Sequence, residues 1–121
     1  MRKVLSVLAL LLVVGCAGSA TNSADANRNR LATVAASYGT VQTAAEAYIN
    51  RPPCSRTPAV TLCSDPTTVR RIQAADRTAF TALDRANQTV KTNPSDPSLT
   101  SLITGAAEAV AQFKATTPNA K

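Results

Sequence analysis

Residues 64–90, SDPTTVRRIQAADRTAFTALDRANQTV, decide the fold. Asp65 stands where a side-chain oxygen can accept the free N–H groups of a first helical turn. Pro66 occupies the first helical position, where its missing N–H costs nothing. From there Val69, Ile72, Ala75, Ala79, Phe80, Leu83, Ala86 and Val90 recur at the spacing of one broad helical face. Asn93-Pro94 ends the run, because proline pushes its predecessor out of helical backbone space. The pattern predicts a long amphipathic helix, and the rest of the chain can be read outward from it.

Upstream, Leu31, Val34, Tyr38, Val41, Ala45 and Tyr48 alternate steps of three and four, a helical stripe beginning from about Asp25 and stopped by Pro52-Pro53. Arg28, Arg30, Thr33, Gln42 and Glu46 fall mostly off that stripe, as solvated positions do. Downstream, Ser95-Asp96-Pro97 repeats the start signal and predicts a third helix capped in the same way, with Leu99, Leu102, Ile103, Ala106, Val110 and Phe113 as its stripe. Residues from Thr116 onward read as a frayed tail. The expected fold is all-α: an antiparallel, up-down-up three-helix bundle over residues 25–116, with 117–121 as tail. A long helical hairpin completed by self-association is the alternative. Aromatic residues make up 3% of the chain and tryptophan is absent, so alanine must fill many inward positions and the core is lean.

The N-terminus has a different character. Arg2 and Lys3 precede an apolar run from Val4 to Val14, which meets Gly15-Cys16. This is the charged region, apolar core and small-residue site of a secretory signal. The run is too short to span a bilayer, which needs about 20 apolar residues. Val13-Val14-Gly15-Cys16 resembles the lipobox of bacterial lipoproteins. The resemblance covers only residues 1–16 and implies that 1–15 are cleaved and that Cys16 carries the lipid and becomes the mature N-terminus. Residues 16–24, small and polar, would then form a flexible tether to the membrane.

Cleavage there leaves 106 residues, with eleven basic and seven acidic side chains, a formal +4 in place of +6. Lipidation also resolves the odd count of three cysteines by leaving Cys54 and Cys63 as a pair. In an exported chain the simplest use of such a pair is a disulfide, here clamping the proline-rich connector 51–64, RPPCSRTPAVTLCS. A metal site or a catalytic thiol is the other use. The chain has no histidine, however, and two cysteines alone cannot build the usual zinc site.

The absence of histidine also removes Ser-His and Cys-His pairs and the commonest general base. Asp65 and Asp96 read as helix caps. Asp76 and Asp84 lie eight apart beside Arg77 and Arg85, and read as a solvated face rather than a carboxylate pair. The four glycines form no phosphate loop. The expectation is a non-enzyme with no cofactor and no metal.

Arg51 and Arg56 in the connector, with Arg70 and Arg71 early in the second helix, are the candidate contacts for an anionic envelope ligand; scattered solubilising charge is the plainer account. Nucleic acid is not an expected partner, since export removes the chain from it and interleaved aromatics are missing. Tyr38 and Tyr48 read as core residues with hydroxyls at the edge, or else as a partner surface. Lys121 gives one further comparison. The major outer-membrane (Braun) lipoprotein is similar in having a lipobox, helices and a terminal lysine joined to peptidoglycan, but this chain's prolines and cysteine pair break a continuous heptad rod. Ala17, after Cys16, lacks the aspartate associated with inner-membrane retention, so in a Gram-negative host the periplasmic face of the outer membrane is the expected address. The functional expectation is a lipid-anchored, non-enzymatic structural or interaction module of the cell envelope, partnered by the membrane through Cys16 and by an envelope protein or a second copy. The alternatives are a binding module for an anionic ligand and a phage or lysis-related lipoprotein.

Overall fold

A computed structural model describes residues 23–54 and 62–118. The expected signal peptide, Cys16, most of the tether, Arg56 and Lys121 lie outside the described residues. Three helices follow in order: α1, Ser23–Ile49; α2, Pro66–Thr92; and α3, Leu99–Thr116. Each packs against the other two, giving the expected helical bundle.

α1 begins at Ser23, ahead of the expected start. The reason lies in its own seam: Ala24 and Asn27 are buried and extend the alternation of three and four upstream from Leu31. An exposed ion pair, Arg28 to Asp25 at 3.1 Å, crosses the first turns. Asn50 N–H still reaches the Glu46 carbonyl after α1 ends, and Pro52-Pro53 then stop the helical pattern.

α2 starts as its sequence predicts. Asp65 has extended backbone, its carboxylate accepts the Thr68 N–H at 2.7 Å, and Pro66 opens the helix. The face inferred for α2 needs one correction. Ala79 is fully buried, whereas Phe80, placed on the same face, is 58% exposed. Adjacent helical positions diverge by about 100°, and the close-packed core takes the alanine and leaves the ring on the rim.

α3 also departs from its expected start. Its helix begins at Leu99, and Ser98 makes no side-chain cap. Asp96 instead accepts the N–H and hydroxyl of Ser98, and the Leu99 N–H reaches the Asp96 carbonyl, so a turn precedes the helix. At the other end Thr117 is no frayed residue: it is 3% exposed, and its N–H and hydroxyl both bond to the Phe113 carbonyl, closing the last turn.

The core joins all three helices. Phe113, Ile72 and Leu99 are its largest fully buried side chains, with buried alanines at 45, 79, 86, 106 and 109 letting the helices approach closely. The Tyr38 and Phe113 rings meet at 5.8 Å between centroids, joining α1 to α3. Contact is most extensive between α2 and α3.

Candidate functional site

The connector end of the bundle is built by several independent ties. Cys54 and Cys63 form a disulfide with Cα atoms 4.8 Å apart, inside the range that a disulfide bridge spans. The flanking backbone pairs as well: Cys54 N–H donates to the Ser64 carbonyl at 3.0 Å and Ser64 N–H to the Pro52 carbonyl at 2.9 Å. Buried Ser64 donates its hydroxyl to the Arg51 carbonyl at 2.9 Å. Tyr48, itself buried in the α1 seam, accepts the Asp65 N–H at 3.0 Å and so binds the end of α1 to the cap of α2. Hydrogen bonds from the Thr68 N–H and hydroxyl hold the Asp65 carboxyl below the usual carboxylate range.

Three of the four arginines proposed for an anionic ligand, Arg51, Arg70 and Arg71, lie among the described residues. Arg51 places its guanidinium over the Tyr48 ring, 5.2 Å from the centroid, which spends it on packing. Arg70 and Arg71 stand exposed in the early turns of α2, at the same end of the bundle; Arg70 reaches only the Thr67 hydroxyl, at 3.4 Å. Arg56 lies outside the described residues.

The middle of the bundle holds a polar group that the sequence did not single out as such. The Tyr38 hydroxyl donates to Asp76 at 2.7 Å and accepts from the Gln42 amide at 3.1 Å. Burial, followed by the hydrogen bond and negative charge of Asp76, pushes the Tyr38 phenol well above its ordinary value. Asp76 is thus no member of a solvated face with Arg77. Asp84 accepts from Gln88 at 2.7 Å and lines a different groove. At about 12 Å of helical rise between them, Asp76 and Asp84 cannot share a proton or a metal. Only Tyr38 of the three lies on a stripe; Gln42 and Asp76 border the stripes of α1 and α2, where polar residues read as solvated. What was missing was the register in which the two helices meet.

Two grooves cross the surface. One, of about 430 Å³, lies between α1 and α2 and is lined by Leu31, Ala35, Leu83 and the exposed Phe80. The other, of about 620 Å³, runs between α2 and α3, with Arg77 and Arg85 on one side and Ser101 and Gly105 on the other. Among the described residues there is no group of three or more metal-ligating side chains, and no helix is long and apolar enough to cross a membrane. No family model, curated protein or solved structure matches the chain.

Proposed function

We propose that the protein is a lipid-anchored module of the bacterial cell envelope, held at the membrane through Cys16 and working by contact rather than by catalysis. The observation that carries this is the Cys54–Cys63 disulfide. It fits an oxidising, exported setting and leaves Cys16 as the remaining thiol, behind a charged and apolar leader. The bundle supports the non-catalytic half of the reading, because the polar side chains at its helix contacts serve capping and packing: Asp65 caps α2, Tyr48 ties the connector, and Tyr38 with Asp76 joins α1 to α2. In a Gram-negative host, Ala17 favours the periplasmic face of the outer membrane. The partner on this reading is the membrane itself, together with an envelope protein or a second copy seated on the bundle.

The test is metabolic labelling with palmitate, with membrane fractionation of wild type beside Cys16→Ala. Label on wild type alone, and loss of membrane retention in the variant, is the expected result. Equal retention of both chains with no label on either would refute the lipid anchor. A second reading, of an anionic ligand at the connector end, is favoured by the exposed Arg70 and Arg71.

A further inference from the structure

The four arginines of α2 share one broad outward face. Arg70, Arg77 and Arg85 follow one another at spacings of seven and eight residues, with Arg71 beside the first, and all four are exposed. Arg77 and Arg85 flank the α2–α3 groove, where Thr78 and Thr81 lie between them. From Arg70 to Arg85 the row extends about 22 Å along the helix. None of the four makes an ion pair among the described residues. The acids nearest in sequence are engaged elsewhere, Asp76 by Tyr38 on the α1 side and Asp84 by Gln88 beside the α1–α2 groove. Asp84, seven residues after Arg77, borders the row, so the face sets four positive charges against one negative and keeps a net positive potential.

We propose that this face of α2 lays the bundle flat on an anionic phospholipid bilayer. Charge complementarity selects an anionic surface, and the shape of the face selects a bilayer over other polyanions. Small residues and short hydroxyls, Ala74, Thr78, Thr81 and Ala82, line the groove beside Arg77 and Arg85, so no bulky side chain stands between those two. All four aromatic rings of the chain lie off it: Phe113 and Tyr48 are buried, Tyr38 packs on Phe113, and Phe80 faces the α1–α2 groove. Nothing on the face would stack on a base or a sugar ring. The proposal builds on the lipid-anchored reading, which puts the bundle near a membrane. The seven peptide steps from Cys16 to Ser23 reach at most about 25 Å, less than the roughly 40 Å length of α1, so the tether keeps the domain within headgroup range. A lipid chain and a basic face together make the two-signal anchoring that holds proteins on membranes stably.

The test is sedimentation of the full lipidated chain with vesicles of pure phosphatidylcholine and with vesicles containing phosphatidylglycerol, at low and high salt. Binding to the neutral vesicles reports the lipid anchor, and the additional binding to the anionic ones reports the α2 face. Each arginine near an anionic surface contributes about fivefold, so the increment should be at least tenfold and should collapse in high salt. Changing Arg70, Arg71, Arg77 and Arg85 together to Gln should abolish the increment while leaving neutral-vesicle binding intact. A charge-matched control, with Arg28, Arg30, Lys91 and Lys114 changed to Gln, should keep most of it. Circular dichroism checks that both variants fold, and the pairs Arg70/Arg71 and Arg77/Arg85 provide smaller steps. Absence of the increment, or equal loss in both variants, overturns the proposal. So does arginine-dependent binding to dextran sulfate that exceeds binding to anionic vesicles, which would make the face a polyanion site. If the lipid anchor fails, neutral-vesicle binding disappears while the salt-sensitive increment survives, so the two failures are distinguishable.

Discussion

Individual side chains carry two of the joints between helices, and both predict a pH response. Asp65 is held below its ordinary value by bonds from the Thr68 N–H and hydroxyl, so the folded state binds its proton less readily than the unfolded one. The stabilisation is present above the ordinary aspartate value of 3.8 and fades as pH falls through the lower folded value. Thermal melts taken from neutral into acid should therefore lose Tm, with Asp65→Asn flattening part of that loss and Asp65→Ala lowering Tm at neutral pH as well. Tyr38 runs the other way. Its phenol is raised above the ordinary 10.0 by burial and by Asp76, so its contribution is complete below that value and is lost as pH climbs towards the folded one. Tyr38→Phe removes the hydroxyl that Asp76 accepts and should cost about 1–2 kcal/mol in urea unfolding at neutral pH. A cost near zero would mean that water replaces the phenol without penalty. The two phenylalanines give an internal contrast at the same scale. Phe113 is fully buried and its change to Ala should cost about 3–5 kcal/mol, whereas Phe80→Gln, on the rim, should stay within about 0.5 kcal/mol.

At the level of helices and connectors, legibility follows the kind of force that sets each boundary. Where local chemistry decides, the sequence sufficed: Asp65 and Pro66 begin α2, and Pro52-Pro53 follow the end of α1. Where packing decides, it did not. The α1 seam runs on through Ala24 and Asn27, neither of which is bulky enough to read as core, and Thr117 is fixed by its bonds to Phe113 rather than by any hydropathy signal. Asp96 misled because a Ser-Asp-Pro triplet serves a turn as well as a cap, and only the geometry separates them. The arginines of the connector end were grouped as sharing one end of the hairpin; in the structure Arg51 is stacked on Tyr48, and Arg70 and Arg71 stand exposed in the early turns of α2 at that end. The elements also carry removable weaknesses. Gly39 and Gly105 sit inside helices with open space where a Cβ would go, so Gly39→Ala and Gly105→Ala should each raise stability by about 0.5–1 kcal/mol, read from denaturant midpoints. The connector is the opposite case. Opening the Cys54–Cys63 bridge, by reduction or by replacing both with Ser, frees a loop of sequence separation 9 and should cost about 2–3 kcal/mol.

For the molecule as a whole, the question is which helices make the folding unit. Chain order and matched lengths suggest α1 and α2, two helices of 27 residues joined by a stapled connector. The distribution of buried surface argues otherwise. α3 has only 18 residues, yet it contributes six of the sixteen buried hydrophobic side chains, including Phe113 and Leu99, and α2 packs more extensively on it than on α1. Without α3, Ile72, Ala79 and Ala86 would lose much of their cover, and the remaining α1–α2 seam would rest on Leu31, Leu83, Val90, Tyr38 and the connector ties. Most of a helix's stability in a protein comes from packing its apolar face, so a disulfide across one end cannot replace a missing core. A chain ending at Pro97, with the disulfide intact, should show weak helicity by circular dichroism and a broad melt, while the whole chain melts in one cooperative transition. A sharp transition in the shortened chain would instead identify the stapled hairpin as the folding unit, with α3 docking afterwards onto a surface already formed. The distinction bears on the membrane face too, because Arg77 and Arg85 flank the α2–α3 groove. On the expected outcome, the same helix contact that completes the core also straightens the basic face, so substitutions that loosen α3, such as Phe113→Ala, should weaken binding to anionic vesicles without touching an arginine.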